Sequence, residues 1–129
     1  MSFDLQKCRE NFLKRQAARY AAREALRQRA KGAALEAILR IISRYPQVKQ
    51  VYLFGSVVQP GQFHEESDID IAVAGTDAAA YFDLWRALEE GCPGWMIDLR
   101  EINAPSHFSD VVRQTGELIY DTTDRATES

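Results

Sequence analysis

The sequence predicts one α/β (α+β) domain, and three observations predict it. Apolar residues recur at helical spacing through the first third of the chain, a proline ends that pattern, and short period-two segments then alternate with helical ones. At 129 residues with 46% hydrophobic side chains, the chain has the length and composition of a single globular core.

From Phe3 to Arg29 the residues are strong helix formers uninterrupted by Pro or Gly, with Ser2 or Asp4 placed to cap the start. Leu5, Phe12, Leu13, Tyr20 and Leu26 leave a narrow apolar stripe among arginines. Gly32 reads as a hinge. A second helix carrying Ala34, Leu35, Ile38, Leu39, Ile41 and Ile42 then runs toward the core and stops before Tyr45-Pro46. Val51 to Phe54 reads as a strand ending at Gly55-Ser56, and a turn-rich stretch leads to a second strand over Asp68 to Ala74. Thr76 or Asp77 caps the next helix, in which Ala80, Tyr81, Leu84, Trp85 and Leu88 recur before Gly91, Pro93 and Gly94 end it. Tyr81 and Trp85, four apart, read as core packing rather than a nucleotide stack. A third strand follows over Met96 to Ile102. Ser106 caps a last helix through Arg113, Gly116 ends it, and Leu118 to Tyr120 form a small terminal strand. The segments group as a helical N-terminal extension over 1–45, a core over 47–121 and a flexible tail over 122–129.

Several function classes drop out. The apolar stretch from Ala33 to Ile42 is broken by Glu36 and Arg40, well short of the roughly 18 residues that span a bilayer. The opening MSFDLQKCRE has no apolar signal core, so the expected compartment is the cytoplasm. Cys8 and Cys92 read as free thiols, without the spacing of a zinc site or a disulfide framework. His64 and His107 read as surface residues. The net charge of −3 conceals polarity: eleven basic against four acidic residues up to Arg44 give +7, and five against fifteen from Tyr45 onward give −10. The basic helix is compatible with a solvated face, with a nucleic-acid or acidic-protein contact, and with docking on the acidic half of another copy.

Asp68 and Asp70 carry the first chemical signal. Residues i and i+2 of a strand share a face, so two carboxylates crowd one side while Ile69, Ile71 and Val73 pack on the other. A divalent cation relieves their repulsion, and an all-oxygen ligand set selects Mg²⁺ or Mn²⁺ over zinc. Asp98 supplies a third carboxylate if its strand lies beside the second. Gly55-Ser56, directly after a buried strand, lets backbone approach a phosphate while the hydroxyl and nearby amides donate to its oxygens. Three acids beside such a turn suit phosphoryl or nucleotidyl transfer.

The segment LFGSVVQPGQFHEESDIDIAV, with MIDLRE for the third acid, resembles the signature of the nucleotidyltransferase superfamily related to DNA polymerase β. The likeness is greatest to its small stand-alone members, the minimal nucleotidyltransferases, and it covers Val51 to Tyr120. The family pattern is Gly-Ser, a spacer of about ten residues, then Asp-x-Asp. Here eleven residues, Val57 to Ser67, form the spacer, and Val57-Val58-Gln59-Pro60-Gly61 stands where many relatives carry Arg-x-Arg-Gly.

This resemblance implies the nucleotidyltransferase fold: a short mixed β-sheet with helices packed on one side, here with a long N-terminal helix. It implies transfer of a nucleoside monophosphate, commonly AMP from ATP, to a hydroxyl acceptor. Asp68 and Asp70 would hold Mg²⁺ or Mn²⁺, Asp98 would ligate the catalytic ion and help activate the acceptor, and Gly55 and Ser56 would hold the terminal phosphates. Small members of the family include antitoxins that modify a tyrosine of a HEPN-class toxin, and other relatives modify aminoglycosides. The arginine-free spacer motivates an alternative in which the chain neutralises a partner by binding alone.

Overall fold

The computed structural model describes residues 4–122. Its elements are α1 (Leu5–Ile41), β1 (Gln50–Phe54), β2 (Ile69–Ala74), α2 (Ala78–Gly91), β3 (Ile97–Glu101), α3 (His107–Thr115) and β4 (Glu117–Asp121), with single 3-10 turns at Ile42–Arg44 and Gly55–Val58. Four strands make one mixed sheet in the order β3-β2-β1-β4. β1 is antiparallel to β2 and β4, while β2 and β3, joined through α2, are parallel. No helix of the described residues is long and apolar enough to cross a membrane.

Alternation along the strands divides the sheet into two chemically different faces. Val51, Leu53, Ile69, Ile71, Val73, Ile97 and Leu99 point to one side and pack with Ile38 and Ile41 of α1, Ile42 beyond its end, and Leu84 and Leu88 of α2. The opposite face carries Tyr52, Phe54, Asp70, Ala72 and Ala74, and α3 packs there through Val112, in a smaller cluster that includes Ile102. Tyr81 and Trp85 are half-buried at the rim of the main core, donating to Leu99 O at 2.5 Å and to Ile97 O at 3.1 Å, so α2 is tied to β3 as well as packed on it.

Asp4 caps α1 by accepting from Lys7 N, and Asp77 caps α2 by accepting from Ala80 N. Ser106 and Ser109 cap α3 reciprocally. Ser2 lies outside the described residues, as does the expected tail beyond Thr122. Gly32 is no hinge: α1 runs through it for 37 residues. A glycine in mid-helix costs about 1 kcal/mol relative to alanine, and buried Ala30 and Ala34 on either side hold the helix to the sheet against that cost. Leu39 also departs from expectation. It is 59% exposed, because it points away from the side on which Ile38 and Ile41 pack. Cys8 is exposed and Cys92 buried, both as free thiols.

The two halves of α1 live in different surroundings. From Ala30 to Ile41 it is a core helix, whereas every residue from Asp4 to Ala22 is exposed. Between them three polar residues grip the loop after β1: Arg27 donates to Val57 O, Arg23 donates to Gly61 O, and the Glu24 carboxylate accepts from Gly61 N. Arg27 is 7% exposed and pairs with Glu24 at 2.8 Å. Tyr20 lies against Gly61, where a Cβ would stand 2.6 Å from its ring. Beyond that point α1 continues as an exposed arm of roughly 22 Å. Leu5, Phe12 and Leu13 are more than half exposed on it and Tyr20 nearly so. Deleting the arm through Ala18 is expected to change stability by less than about 0.5 kcal/mol, and Arg27→Ala to cost about 2 kcal/mol, in urea denaturation of both variants.

Candidate active site

Asp70 and Asp98 are register partners on the parallel strands β2 and β3, at the end of the sheet where β1 finishes. Neighbouring strands lie about 4.8 Å apart, so the two carboxylates rise side by side from the same face. Asp68 stands just before β2 and is exposed, while Asp70 and Asp98 are half-buried. Phe54, the last residue of β1, pairs with Asp70 from the other side. Gly55 follows with φ +72, turning the chain over Asp70 so closely that a Cβ would lie 2.2 Å from Oδ2. Ser56 and the 3-10 turn Gly55–Val58 continue from there, and the first amides of such a turn have no acceptor within it. Sequence reasoning thus located five residues, Gly55, Ser56, Asp68, Asp70 and Asp98, that the fold collects at one end of the sheet.

Electrostatics sets Asp70 apart. Burial, then the charges of Asp98 and Asp68, push its carboxyl up to about 6, and Arg100 partly offsets them. Ionised Asp70 is thus disfavoured by burial first and by like charge second. Among the described residues no three His, Cys, Asp or Glu side chains converge as a ready-made metal cage. Asp98 is turned instead to Arg100, whose Nε lies 3.2 Å from Oδ1 and whose Nη2 lies 3.4 Å from Oδ2. The donor chemistry nonetheless fits a hard divalent cation: two in-register carboxylates, a third whose charge reaches Asp70, and no nitrogen or sulfur ligand.

Were Asp70 to ligate such a cation, protons would compete with it for the same oxygen. Asp70 is expected to lose metal affinity as pH falls through about 6, with Mn²⁺ binding flat above roughly pH 7 and weakening by up to about tenfold per unit below 6. Calorimetric Mn²⁺ titration across that range measures this directly.

Sequence reasoning missed two features. Arg100 was legible, since the same-face rule applied to Asp68 and Asp70 also sets Arg100 beside Asp98. The Arg23, Glu24 and Arg27 grip on the loop after β1 carried no comparable signal, because arginines in a basic helix are ordinarily solvated. His64 and His107 are exposed, as expected.

The family model described as polymerase beta, nucleotidyltransferase matches residues 36–125, which includes all five site residues and begins after the exposed arm. No curated protein matches the sequence. Among solved structures, a toxin-antitoxin complex with AMP-PNP is 26% identical, with a TM-score of 0.57 over 72% of this chain and 77% of that one. A mutant of the toxin-antitoxin pair MntA-HpeT is 27% identical, with a TM-score of 0.55 over 71% and 76%. A tri-AMPylated Shewanella oneidensis HEPN toxin in complex with MNT antitoxin shares the fold at 24% identity, with a TM-score of 0.52 over 73% and 75%.

Proposed function

Because the chain belongs to the polymerase β nucleotidyltransferase family, we propose that it transfers AMP from ATP to a hydroxyl of a partner protein, a tyrosine of a HEPN-class toxin, and so acts as a cytoplasmic antitoxin. The observation that carries this reading is the in-register pair Asp70 and Asp98 beneath the Gly55 turn, with the charge of Asp68 close enough to raise the Asp70 carboxyl. Likeness to toxin-antitoxin structures, one of them with AMP-PNP, supports the substrate and the partner.

Asp68, Asp70 and Asp98 would hold Mg²⁺ or Mn²⁺. Such ions, when bound, supply Lewis-acid stabilisation of the phosphate oxygens and make an acceptor hydroxyl easier to deprotonate. The chain's own residues do the rest. Gly55, lacking a side chain, lets the backbone pass close above Asp70, and Ser56 with the neighbouring amides holds the terminal phosphates. Arg27, Arg23 and Glu24 fix the loop that carries those donors, so its amides are oriented before the nucleotide arrives. Asp98 sits on the edge strand, the more accessible side, where a protein-borne hydroxyl approaches. Attack of that oxygen on the α-phosphorus forms a phosphodiester, breaks the bond to pyrophosphate and passes the hydroxyl proton to the carboxylate side of the site.

Incubation with α-labelled ATP, Mg²⁺ and a HEPN-class partner is expected to label the partner, and Asp70→Asn to stop it. Equal labelling by both proteins would remove these acids from the chemistry.

One observation favours a second reading, neutralisation by binding alone. The loop Val57 to Gly61 has no cation, and the arginines gripping it, Arg23 and Arg27, spend their hydrogen bonds on its backbone carbonyls and on Glu24. On that reading Asp68→Asn leaves partner binding and neutralisation intact, and MgATP gives no heat on titration at millimolar concentration.

A further inference from the structure

Arg100 stands two residues beyond Asp98 on β3, on the face shared with Asp70, and its register partner on β2 is Ala72, a side chain too short to engage it. The guanidinium folds back onto Asp98 with two donor contacts, although 61% of the Arg100 side chain is exposed. It is also the cation whose charge offsets the neighbouring acids at Asp70. Other arginines and lysines around the sheet are engaged elsewhere. Arg27 serves Glu24 and Val57 O, Arg23 serves Gly61 O, and Lys49 and Arg113 stand with Gln50 and Asn103 at the opposite end of β1.

We propose that Arg100 is a two-position phosphate-binding residue: it closes on Asp98 while the site lacks nucleotide, and it moves to a phosphate of the triphosphate when Asp98 takes up a divalent cation. This rests on the nucleotidyl-transfer reading above. Asp98 presents two oxygens, and Arg100 covers both, so a cation entering there displaces the guanidinium. An exposed pair of this kind is weakly held. A phosphate offers the same planar fork two oxygens with greater negative charge, so the displaced guanidinium gains by moving there. The swap keeps the cluster partly neutralised in the resting protein and provides the cation that the Val57 to Gly61 loop lacks.

Arg100→Gln and Arg100→Lys test this, with wild type as reference and thermal denaturation to confirm that each exposed-site variant is folded. Mn²⁺ binding without nucleotide is followed by electron paramagnetic resonance, and MgATP binding by calorimetry. Arg100→Gln is expected to bind Mn²⁺ several-fold more tightly, having lost the competing cation, and MgATP about tenfold more weakly. Arg100→Lys is expected to keep Mn²⁺ affinity near wild type but to lose part of the MgATP affinity, for want of the fork. Unchanged MgATP affinity in Arg100→Gln, or weaker Mn²⁺ binding, would overturn the proposal, the latter by showing that Arg100 merely holds Asp98 in place. If wild type itself binds neither Mn²⁺ nor MgATP, the nucleotidyl-transfer reading fails and this proposal with it. Wild-type binding that Arg100→Gln matches defeats the Arg100 proposal alone.

Discussion

Asp70→Asn is expected to lower nucleotidyl transfer by about 10²–10³-fold while making the metal-free protein more stable at pH 7. Both effects have one origin. The Asp70 carboxyl is raised to about 6 by burial and by two neighbouring carboxylates, so its ionised form is held against electrostatic cost. Between pH of about 4 and 6 the folded state binds more protons at this position than the unfolded chain does. Its contribution to stability is therefore complete below about pH 4, where both states are protonated, and is lost as pH rises through about 6. Asparagine removes the charge but keeps the shape, so the gain at pH 7 is about 1–2 kcal/mol after allowance for partial solvent contact. Measured near pH 4, where the folded carboxyl is already protonated and there is no charge for asparagine to remove, the variant has little advantage. Urea denaturation at the two pH values, set beside labelled-AMP transfer, separates this from general damage: a folding defect lowers both stability and activity, whereas this account has them moving apart.

Gly55→Ala is expected to be the most damaging substitution of a single hydrogen. Its φ of +72 costs an L residue about 1–2 kcal/mol, and the added methyl would lie 2.2 Å from Asp70 Oδ2. Either the turn lifts or the carboxylate swings away. Stability falls by about 2–3 kcal/mol and Mn²⁺ affinity falls with it, because the displaced group is a proposed ligand. Combining Gly55→Ala with Asp70→Ala distinguishes the two causes. In that background the collision partner is gone, so the stability cost of Gly55→Ala shrinks to the backbone component of about 1–2 kcal/mol. Equal costs in both backgrounds would show that the close approach of glycine and carboxylate does not matter.

Much of this site was legible before the fold was known, because a strand's period of two is a strong constraint. Ile69, Ile71 and Val73 had to share a face, which put Asp70 on the other, and Asp98 between Ile97 and Leu99 followed the same rule. What spacing did not contain was the pairing. That Asp98 stands beside Asp70 depends on α2 carrying the chain across so that β3 runs parallel to β2 in a register that sequence intervals do not specify. Gly32 shows the reverse failure, a local signal overruled by burial of Ala30 and Ala34 to either side. The apolar stripe of α1 was legible, but its division was not. Leu26 packs against the core while Leu5, Phe12 and Leu13 are more than half exposed, because the core meets only the second half of the helix. Burial of Arg27 was illegible for a related reason: only the loop after β1, brought alongside α1 by the fold, gives that guanidinium a carbonyl to bind.

In the proposed function Asp68, Asp70 and Asp98 act together as oxygen ligands for a metal-nucleotide complex. Titration of a non-hydrolysable ATP analogue with Mg²⁺ into wild type and into an Asp68→Asn/Asp70→Asn double variant at about pH 7.5 tests it most directly, since neither partner nor turnover is needed. Saturable binding to wild type that vanishes in the double variant is the predicted result. Indistinguishable heats from the two proteins, or none from wild type, would contradict it.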